Sequence, residues 1–421
     1  MEEKMLSKPC KSLGEFAQER SLFAPRRKIL TKTVFWDIIP KIMFGRRATM
    51  NKRHLVIYNV LRPFVTLYLH CRFDFRCEKP KNLPEQYILL SNHATDYDPL
   101  LIATAFPDHM NFMASEHIAR WGFLSKVIRY LVDPIFLSKG APTAAVVMEL
   151  LRRIRAGYNV CFFPEGLRTW DGVTNPIPPA TGKLVKKAGC ALITYKLTGA
   201  YFVSPMWAGA KVRRGPVRGG IVHIYSAEEV AAMTPAQLQQ AISDDLYEDA
   251  YARQAKEMVK YPNRTGAVGL ETLAYICPAC GARDSFTTCG SEIKCHCGCT
   301  IGYDDFGTLH GCGHKTAKEL YAWQKEITAQ DAAQGMTYKA RFGKLARLSN
   351  HSSEVAAQGE VSMDRESFRC GDFVVPLSAI VNLAMHGQRN LVFTADGAYY
   401  ECKITDGNAL QFFLYYRELV K

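Results

Sequence analysis

Two short segments hold the residue types that proton transfer and phosphate recognition need. The first is Asn92-His93-Ala94-Thr95-Asp96-Tyr97-Asp98-Pro99, and the second is Phe162-Phe163-Pro164-Glu165-Gly166-Leu167-Arg168-Thr169. A hydroxyl attacking a carbonyl must lose its proton as the new bond forms, and histidine is the side chain best poised for that near neutral pH. An aspartate on the other ring nitrogen fixes the tautomer and stabilises the imidazolium, so His93 and Asp98 form a candidate base and partner. In the second segment, Gly166 lets the main chain approach a ligand, and Arg168 offers a planar fork for phosphate oxygens. Each segment also has a plainer reading. Asp98-Pro99 fits a helix start, with aspartate as N-cap and proline at the first helical position. His93 fits a hydrogen-bonded loop position, and a Glu-Gly turn beside an arginine is common in loops.

The elements around these segments alternate. Apolar runs at Tyr87–Leu90, His109–Met113, Ile135–Leu137, Val160–Phe163, Ala191–Tyr195 and Ile221–Ile224 read as strands, and Leu100–Ala105, Phe123–Leu131, Ala141–Ala156 and Gly182–Ala188 read as helices. This predicts a layered α/β domain, a sheet with flanking helices. Ligand groups in such sheets gather beyond the carboxyl ends of strands, where His93 and residues 163–169 fall. Thr234 to Lys260 reads as helical and polar, and Tyr261-Pro262-Asn263-Arg264-Thr265-Gly266 marks a boundary.

Taken together, in this order and about seventy residues apart, the two segments resemble the motifs of the glycerolipid acyltransferase family. Its Asn-His motif, with an aspartate after four further residues, matches Asn92, His93 and Asp98. Its Phe-Pro-Glu-Gly-x-Arg motif matches Phe163, Pro164, Glu165, Gly166 and Arg168. The resemblance covers approximately residues 50 to 260. It implies that His93 is the general base and Asp98 its partner, with Asn92, Lys139, Glu165, Gly166 and Arg168 at the acceptor site. Two positions depart from the pattern. Phe136-Leu137-Ser138-Lys139 stands where the family usually has Phe-Ile-Asp-Arg, so Lys139 keeps the charge and loses the bidentate fork. Thr194-Tyr195 stands where Val-Pro is usual. The implied reaction moves a fatty acyl group from acyl-CoA or acyl-carrier-protein onto 1-acyl-sn-glycerol 3-phosphate, giving phosphatidic acid without a redox cofactor. Glycerol 3-phosphate or another lysophospholipid is the rival acceptor, and a non-catalytic membrane scaffold is the rival outside enzymology.

Fourteen cysteines in a chain whose first residues lack the apolar run of a secretory signal point to metal ligands or buried thiols. Cys277-Pro278-Ala279-Cys280-Gly281 is followed by Cys295-His296-Cys297-Gly298-Cys299. The first pair has zinc-knuckle spacing. The second departs from it, so either Cys295 or Cys299 completes the set Cys277, Cys280 and Cys297. The block resembles a zinc ribbon appended to some bacterial acyltransferases of this kind, which implies one structural Zn2+. No basic-aromatic cluster surrounds it, so nucleic acid is not expected as a partner.

The formal charge is +13, and basic residues from Arg20 to Arg76 are opposed only by Asp37 and Asp74. Interleaved Phe35, Trp36, Phe44, Phe64 and Tyr68 give the mixture expected of an amphipathic helix lying on an anionic membrane surface, though a core-facing helix with a solvated basic side has the same pattern. The longest apolar stretch, Leu55 to Leu69, is interrupted by Arg62-Pro63, so no transmembrane helix is predicted. The expected location is the cytoplasmic face of a membrane, peripheral or monotopic.

The expected division is a basic segment at 1–50, the acyltransferase-like domain at 51–262, the ribbon at 263–305, a helical connector at 306–335 and a β-rich domain at 336–421. In that last domain the strands predicted are Tyr338–Leu348, Glu354–Met363, Ser367–Cys370, Phe373–Pro376, Leu391–Thr394 and Ala398–Ile404. Asp396-Gly397 marks a hairpin, and a closing helix follows with Asp406 as its cap. Strands ended by one amphipathic helix resemble a pleckstrin-homology-type module.

Overall fold

Tyr87-Ile88-Leu89-Leu90 alternates between two cores, which is what a strand covered on both faces requires. In the computed structural model, which describes residues 52–115, 132–137, 143–209, 211–349 and 353–420 and single helical positions at 126 and 130, this segment is the strand Tyr87–Ser91 at the middle of a seven-stranded sheet. In chain order the domain comprises α1 (Lys52–Phe73), β1 (Phe75–Cys77), β2 (Tyr87–Ser91), α2 (Asp98–Ala105), β3 (Met110–Ser115), β4 (Ile135–Leu137), α3 (Thr143–Arg155), β5 (Asn159–Phe162), α4 (Ala180–Ala188), β6 (Ala191–Thr198), α5 (Ala200–Val203), β7 (Val217–Tyr225), α6 (Ala227–Ala232), α7 (Pro235–Leu246) and α8 (Ala250–Glu257).

The strand order is β1-β7-β6-β2-β5-β3-β4. From β6 through β4 every pairing is parallel, while β7 runs antiparallel to β6 and parallel to β1. Ile88, Leu90, Val160 and Leu192 pack against Leu150, Leu151 and Ile154 of α3 and Leu238, Ile242 and Leu246 of α7. Tyr87, Leu89, Ile193 and Tyr195 face the opposite core with Leu101, Ile102 and Phe106.

Helix α1 passes through Pro63. Proline removes one helical hydrogen bond and crowds the preceding turn, so something outside the helix must compensate. The Tyr58 hydroxyl donates to the Ala103 and Phe106 carbonyls, and Arg62 Nε donates to the Thr104 carbonyl at 3.2 Å. These bonds also satisfy carbonyls at the end of α2 that the helix itself leaves open. Leu69 and Phe73 are buried, while Val60, Phe64, Leu67 and Tyr68 remain exposed. No described helix is long and apolar enough to cross a membrane.

Thr234–Lys260, expected as one helical stretch, is divided into α7 and α8. Residues 247–249 leave the helix because they bond elsewhere: Glu248 N–H donates to Thr174 Oγ1 at 2.8 Å, Thr174 N–H donates to the Glu248 carbonyl at 2.9 Å, and Asp249 caps α8 through Ala252 N–H. The predicted helix Phe123–Leu131 lies outside the described residues apart from positions 126 and 130, as do residues 1–51 and Lys139.

The ribbon forms a four-stranded antiparallel sheet of β8 (Phe286–Cys289), β9 (Glu292–Cys295), β10 (Thr300–Tyr303) and β11 (Leu309–His310), in the order β11-β10-β9-β8. It is fastened to the α/β domain by the buried Arg213, whose guanidinium lies 4.7 Å from the Trp207 ring and 4.6 Å from the Tyr303 ring. After α9 (Ala317–Gln334), strands β12 (Tyr338–Leu348), β13 (Ser353–Met363), β14 (Ser367–Cys370), β15 (Phe373–Pro376), β16 (Val381–His386), β17 (Asn390–Ala395) and β18 (Ala398–Asp406) make an antiparallel sheet in the order β15-β14-β13-β12-β18-β17-β16. Helix α10 (Ala409–Leu419) closes it.

Two expectations for this region change. Strand β16 was not predicted: Asn382 at φ +56° and a register shift between Val381 and Ala384 break the alternation by which a strand is read. The cap of α10 is Asn408, whose Oδ1 accepts from Leu410 and Gln411 N–H. Asp406 instead ends β18 and takes the Arg341 guanidinium at 2.7 and 2.9 Å. The Asp396-Gly397 hairpin forms as expected, with φ of +49° and +71° in the two turn residues.

Candidate active site

His93 follows the carboxyl end of β2, in the loop that leads into α2. Its Nδ1 lies 2.8 Å from Asp98 Oδ2, and that carboxylate also accepts from Ala94 N–H at 2.7 Å, Thr95 N–H at 2.9 Å and Thr95 Oγ1 at 3.0 Å. Asp98 is fully buried. With four donors aimed at it from the loop, its carboxylate turns back toward His93, and the first residue preceding α2, Tyr97, contributes no side-chain cap. The bond at Nδ1 sets the tautomer in which Nε2 carries the free lone pair. The imidazole stacks on Phe163 with centroids 4.2 Å apart and planes 17° apart, which fixes its rotation.

The second segment grips the first through the main chain. His93 N–H donates to Glu165 Oε1 at 2.6 Å, and Thr169 N–H donates to the His93 carbonyl at 3.0 Å. Glu165 Oε2 accepts from Asn175 N–H at 2.7 Å and Asn175 Nδ2 at 3.1 Å. Gly166 takes φ +71°, the left-handed conformation that a side chain disfavours, and closes the turn through a bond to the Phe163 carbonyl. Asn92 Nδ2 and Oδ1 pair with the carbonyl and N–H of Leu197, at 2.9 and 2.8 Å, tying the loop to β6.

The polar atoms of Asn92 and Glu165 thus bond to other residues of the chain. Both residues line, with His93, Thr169, Tyr201 and Glu248, a small pocket with space for about one water molecule. Thr194 and Tyr195 are fully buried within β6 and do not line it. Asn175 and Thr169 carry much of the positioning and were not singled out by any motif, because asparagine and threonine in a loop have no distinctive spacing.

Burial raises the Glu165 carboxyl from its ordinary value of 4.5 to about 8, against the lowering effect of the N–H groups of Asn175 and His93. Between those two values the folded chain holds a proton that the unfolded chain has released, so the stability contributed by this group is full below about pH 4.5 and falls as pH rises through 8. Glu165→Gln is expected to be less stable at low pH by about 1–3 kcal/mol, since its amide nitrogen faces N–H donors it cannot accept from. It is also expected to lose less stability than the wild type between pH 5 and 8.5 in denaturant titrations. Parallel pH profiles in the two proteins would contradict this reading.

Arg168 is nearly buried, with 9% of its side chain exposed. Its Nε lies 3.3 Å from Asp96 Oδ1, and Nη1 is buried without a hydrogen-bond partner. Arg168 stands on the loop after β5, the one that grips the His93 loop through Glu165 and Thr169.

In the ribbon, the sulfur atoms of Cys277, Cys280, Cys295 and Cys297 lie within 4.8 Å of one another. Cys277 Sγ is 3.7 Å from Cys297 Sγ, and Cys280 Sγ is 3.8 Å from Cys295 Sγ. Four sulfurs about 2.3 Å from one zinc stand about 3.8 Å apart in a tetrahedron, so these spacings fit a closed metal site. Of the two candidates for the remaining ligand, Cys295 joins the group and Cys299 stands outside it. Gly281 and Gly298, both at positive φ, let the chain turn back to bond the carbonyls of Cys277 and Cys295.

Residues 74–198 match the family model named Acyltransferase. A 1-acyl-sn-glycerol-3-phosphate acyltransferase of Borreliella burgdorferi is 24% identical over 129 residues, covering 29% of this chain and 51% of that protein. The chain thus spans about half the length of this curated relative. The crystal structure of the 1-acyl-sn-glycerophosphate (LPA) acyltransferase PlsC from Thermotoga maritima is 19% identical, covers 50% of this chain and 84% of that chain, and superposes with a TM-score of 0.42, a likeness too loose to bear on the fold. The layered sheet that carries His93, Asp98, Glu165 and Arg168 is accordingly an acyltransferase-like α/β domain.

Proposed function

We propose that this protein transfers a fatty acyl group from the thioester of acyl-CoA or acyl-carrier-protein to the free hydroxyl of 1-acyl-sn-glycerol 3-phosphate, forming phosphatidic acid. The observation that carries this reading is the 2.8 Å contact between His93 Nδ1 and the buried Asp98, which leaves Nε2 as the proton acceptor. The acceptor oxygen attacks the thioester carbonyl as Nε2 takes its proton. The tetrahedral intermediate then expels the thiolate, which recovers that proton from the imidazolium. Glu165, Asn175, Asn92 and Thr169 act on the loops that hold His93, and Arg168 receives the acceptor phosphate.

In this reading the exposed apolar residues of α1 rest on an anionic membrane surface, where a lysophospholipid acceptor resides. The four cysteines hold one structural Zn2+. The C-terminal sheet and helix act as a pleckstrin-homology-type module that steadies the enzyme or adds a lipid contact.

Arg168→Ala tests the acceptor site. A charge-assisted bond to phosphate contributes about 1.5–3 kcal/mol, so KM for lysophosphatidic acid is expected to rise about ten- to a hundredfold while KM for the acyl donor stays within about twofold. An unchanged acceptor KM would remove Arg168 from the phosphate site.

A further inference from the structure

We infer that Asp96 determines acceptor specificity as a tethered anion that occupies the Arg168 guanidinium until an acceptor phosphate displaces it. This rests on the proposed role of Arg168. The motif match gave Asp96 no role, since it falls among the unspecified residues between His93 and Asp98. The structure places its carboxylate 3.3 Å from Arg168 Nε, with 73% of the Asp96 side chain exposed and 9% of the Arg168 side chain exposed. A nearly buried guanidinium thus meets its negative charge at the solvent boundary.

The main chain on both sides of Asp96 is held. Ala94 and Thr95 N–H bind Asp98, and Tyr97 N–H donates to Thr95 Oγ1 at 2.9 Å. The side chain of Asp96 is therefore the part of this loop that can swing away without moving His93. An exposed carboxylate holds its partner weakly because water and salt screen it. A phosphate monoester carries between one and two negative charges near neutral pH and can bond the planar fork through two oxygens. It therefore displaces Asp96, whereas an acceptor without a phosphate leaves the pair closed. Arg168 Nη1, buried and without a partner, is a further donor that such a rearrangement can engage.

The test is calorimetric binding of glycerol 3-phosphate, the polar part of the proposed acceptor, to the full-length protein and to its Asp96→Asn, Arg168→Ala and doubly substituted variants. Asp96→Asn keeps the shape and removes the competing charge, so it is expected to bind about two- to fivefold more tightly, the range set by an exposed ion pair. Arg168→Ala binds more weakly than wild type, and adding Asp96→Asn to it brings no gain. Binding by Asp96→Asn that is equal to or weaker than wild type overturns the inference, as does a gain that persists without Arg168 or an absence of binding in both wild type and Asp96→Asn. Acyl transfer assayed on the same preparations separates the two claims. A wild type that makes no acylated product overturns the proposed reaction, while an active wild type with no gain from Asp96→Asn overturns only the role given to Asp96.

Discussion

His93→Ala is expected to lower the rate of acyl transfer about a hundred- to ten-thousandfold, the range that a positioned general base supplies, with little change in melting temperature. The imidazole is joined to the rest of the site through Nδ1 and through its stack on Phe163. The loop itself is held by other bonds: His93 N–H to Glu165, Thr169 N–H to the His93 carbonyl, and the Ala94 and Thr95 amides to Asp98. Alanine leaves those bonds in place and removes the base. Asp98→Asn behaves differently, because an amide cannot accept from all of the donors that converge there. It loses both activity and stability. Equal turnover by purified wild type and His93→Ala would exclude His93 as the base.

Joint replacement of Cys277 and Cys280 by serine is expected to abolish metal binding and to cause the largest loss of stability of any change considered. Structural zinc contributes on the order of 10 kcal/mol to the folding of small domains that depend on it. Here the ribbon also meets the α/β domain, with the rings of Trp207 and Tyr303 of β10 packed edge to face, 5.2 Å apart, and both within 4.7 Å of the Arg213 guanidinium. Loosening the four cysteines therefore reaches the chain that follows β6, where Tyr201 lines the small pocket beside His93. Metal analysis of anaerobically purified wild type is expected to find about one zinc per chain, and chelation is expected to lower the melting temperature. A wild type free of metal and indifferent to chelator would contradict the site.

The parts of this architecture that were legible in the sequence are those set by local spacing. Strands β2 and β5 are buried throughout and read as unbroken apolar runs, and His93 and Asp98 are close enough in sequence to meet within one loop. The Asp396-Gly397 turn was legible because those two residue types tolerate positive φ. What was not legible depends on partners far along the chain. Nothing near Pro63 announces that Ala103, Thr104 and Phe106 offer carbonyls that hold α1 together. The inward aim of Glu165 follows from Asn175, ten residues on, and from the His93 amide on another loop. The break after Leu246 depends on Thr174, and Asn408 is the cap of α10 because the chain leaves β18 two residues later than the position of Asp406 suggested. Cys295 and Cys297 join the metal group together because the turn at Gly298 brings both sulfurs to one side, which spacing alone left open between Cys295 and Cys299.

In the proposed reaction the His93–Asp98 pair drives acyl transfer to a phosphorylated glycerolipid. Its most direct test incubates purified full-length protein with a radiolabelled acyl thioester and 1-acyl-sn-glycerol 3-phosphate in anionic lipid vesicles, followed by separation of the lipid products. Labelled phosphatidic acid is expected from the wild type, reduced at least about a hundredfold in His93→Ala. Labelled product formed equally by both proteins, or no labelled lipid from the wild type with either acyl-CoA or acyl-carrier-protein as donor, would contradict it.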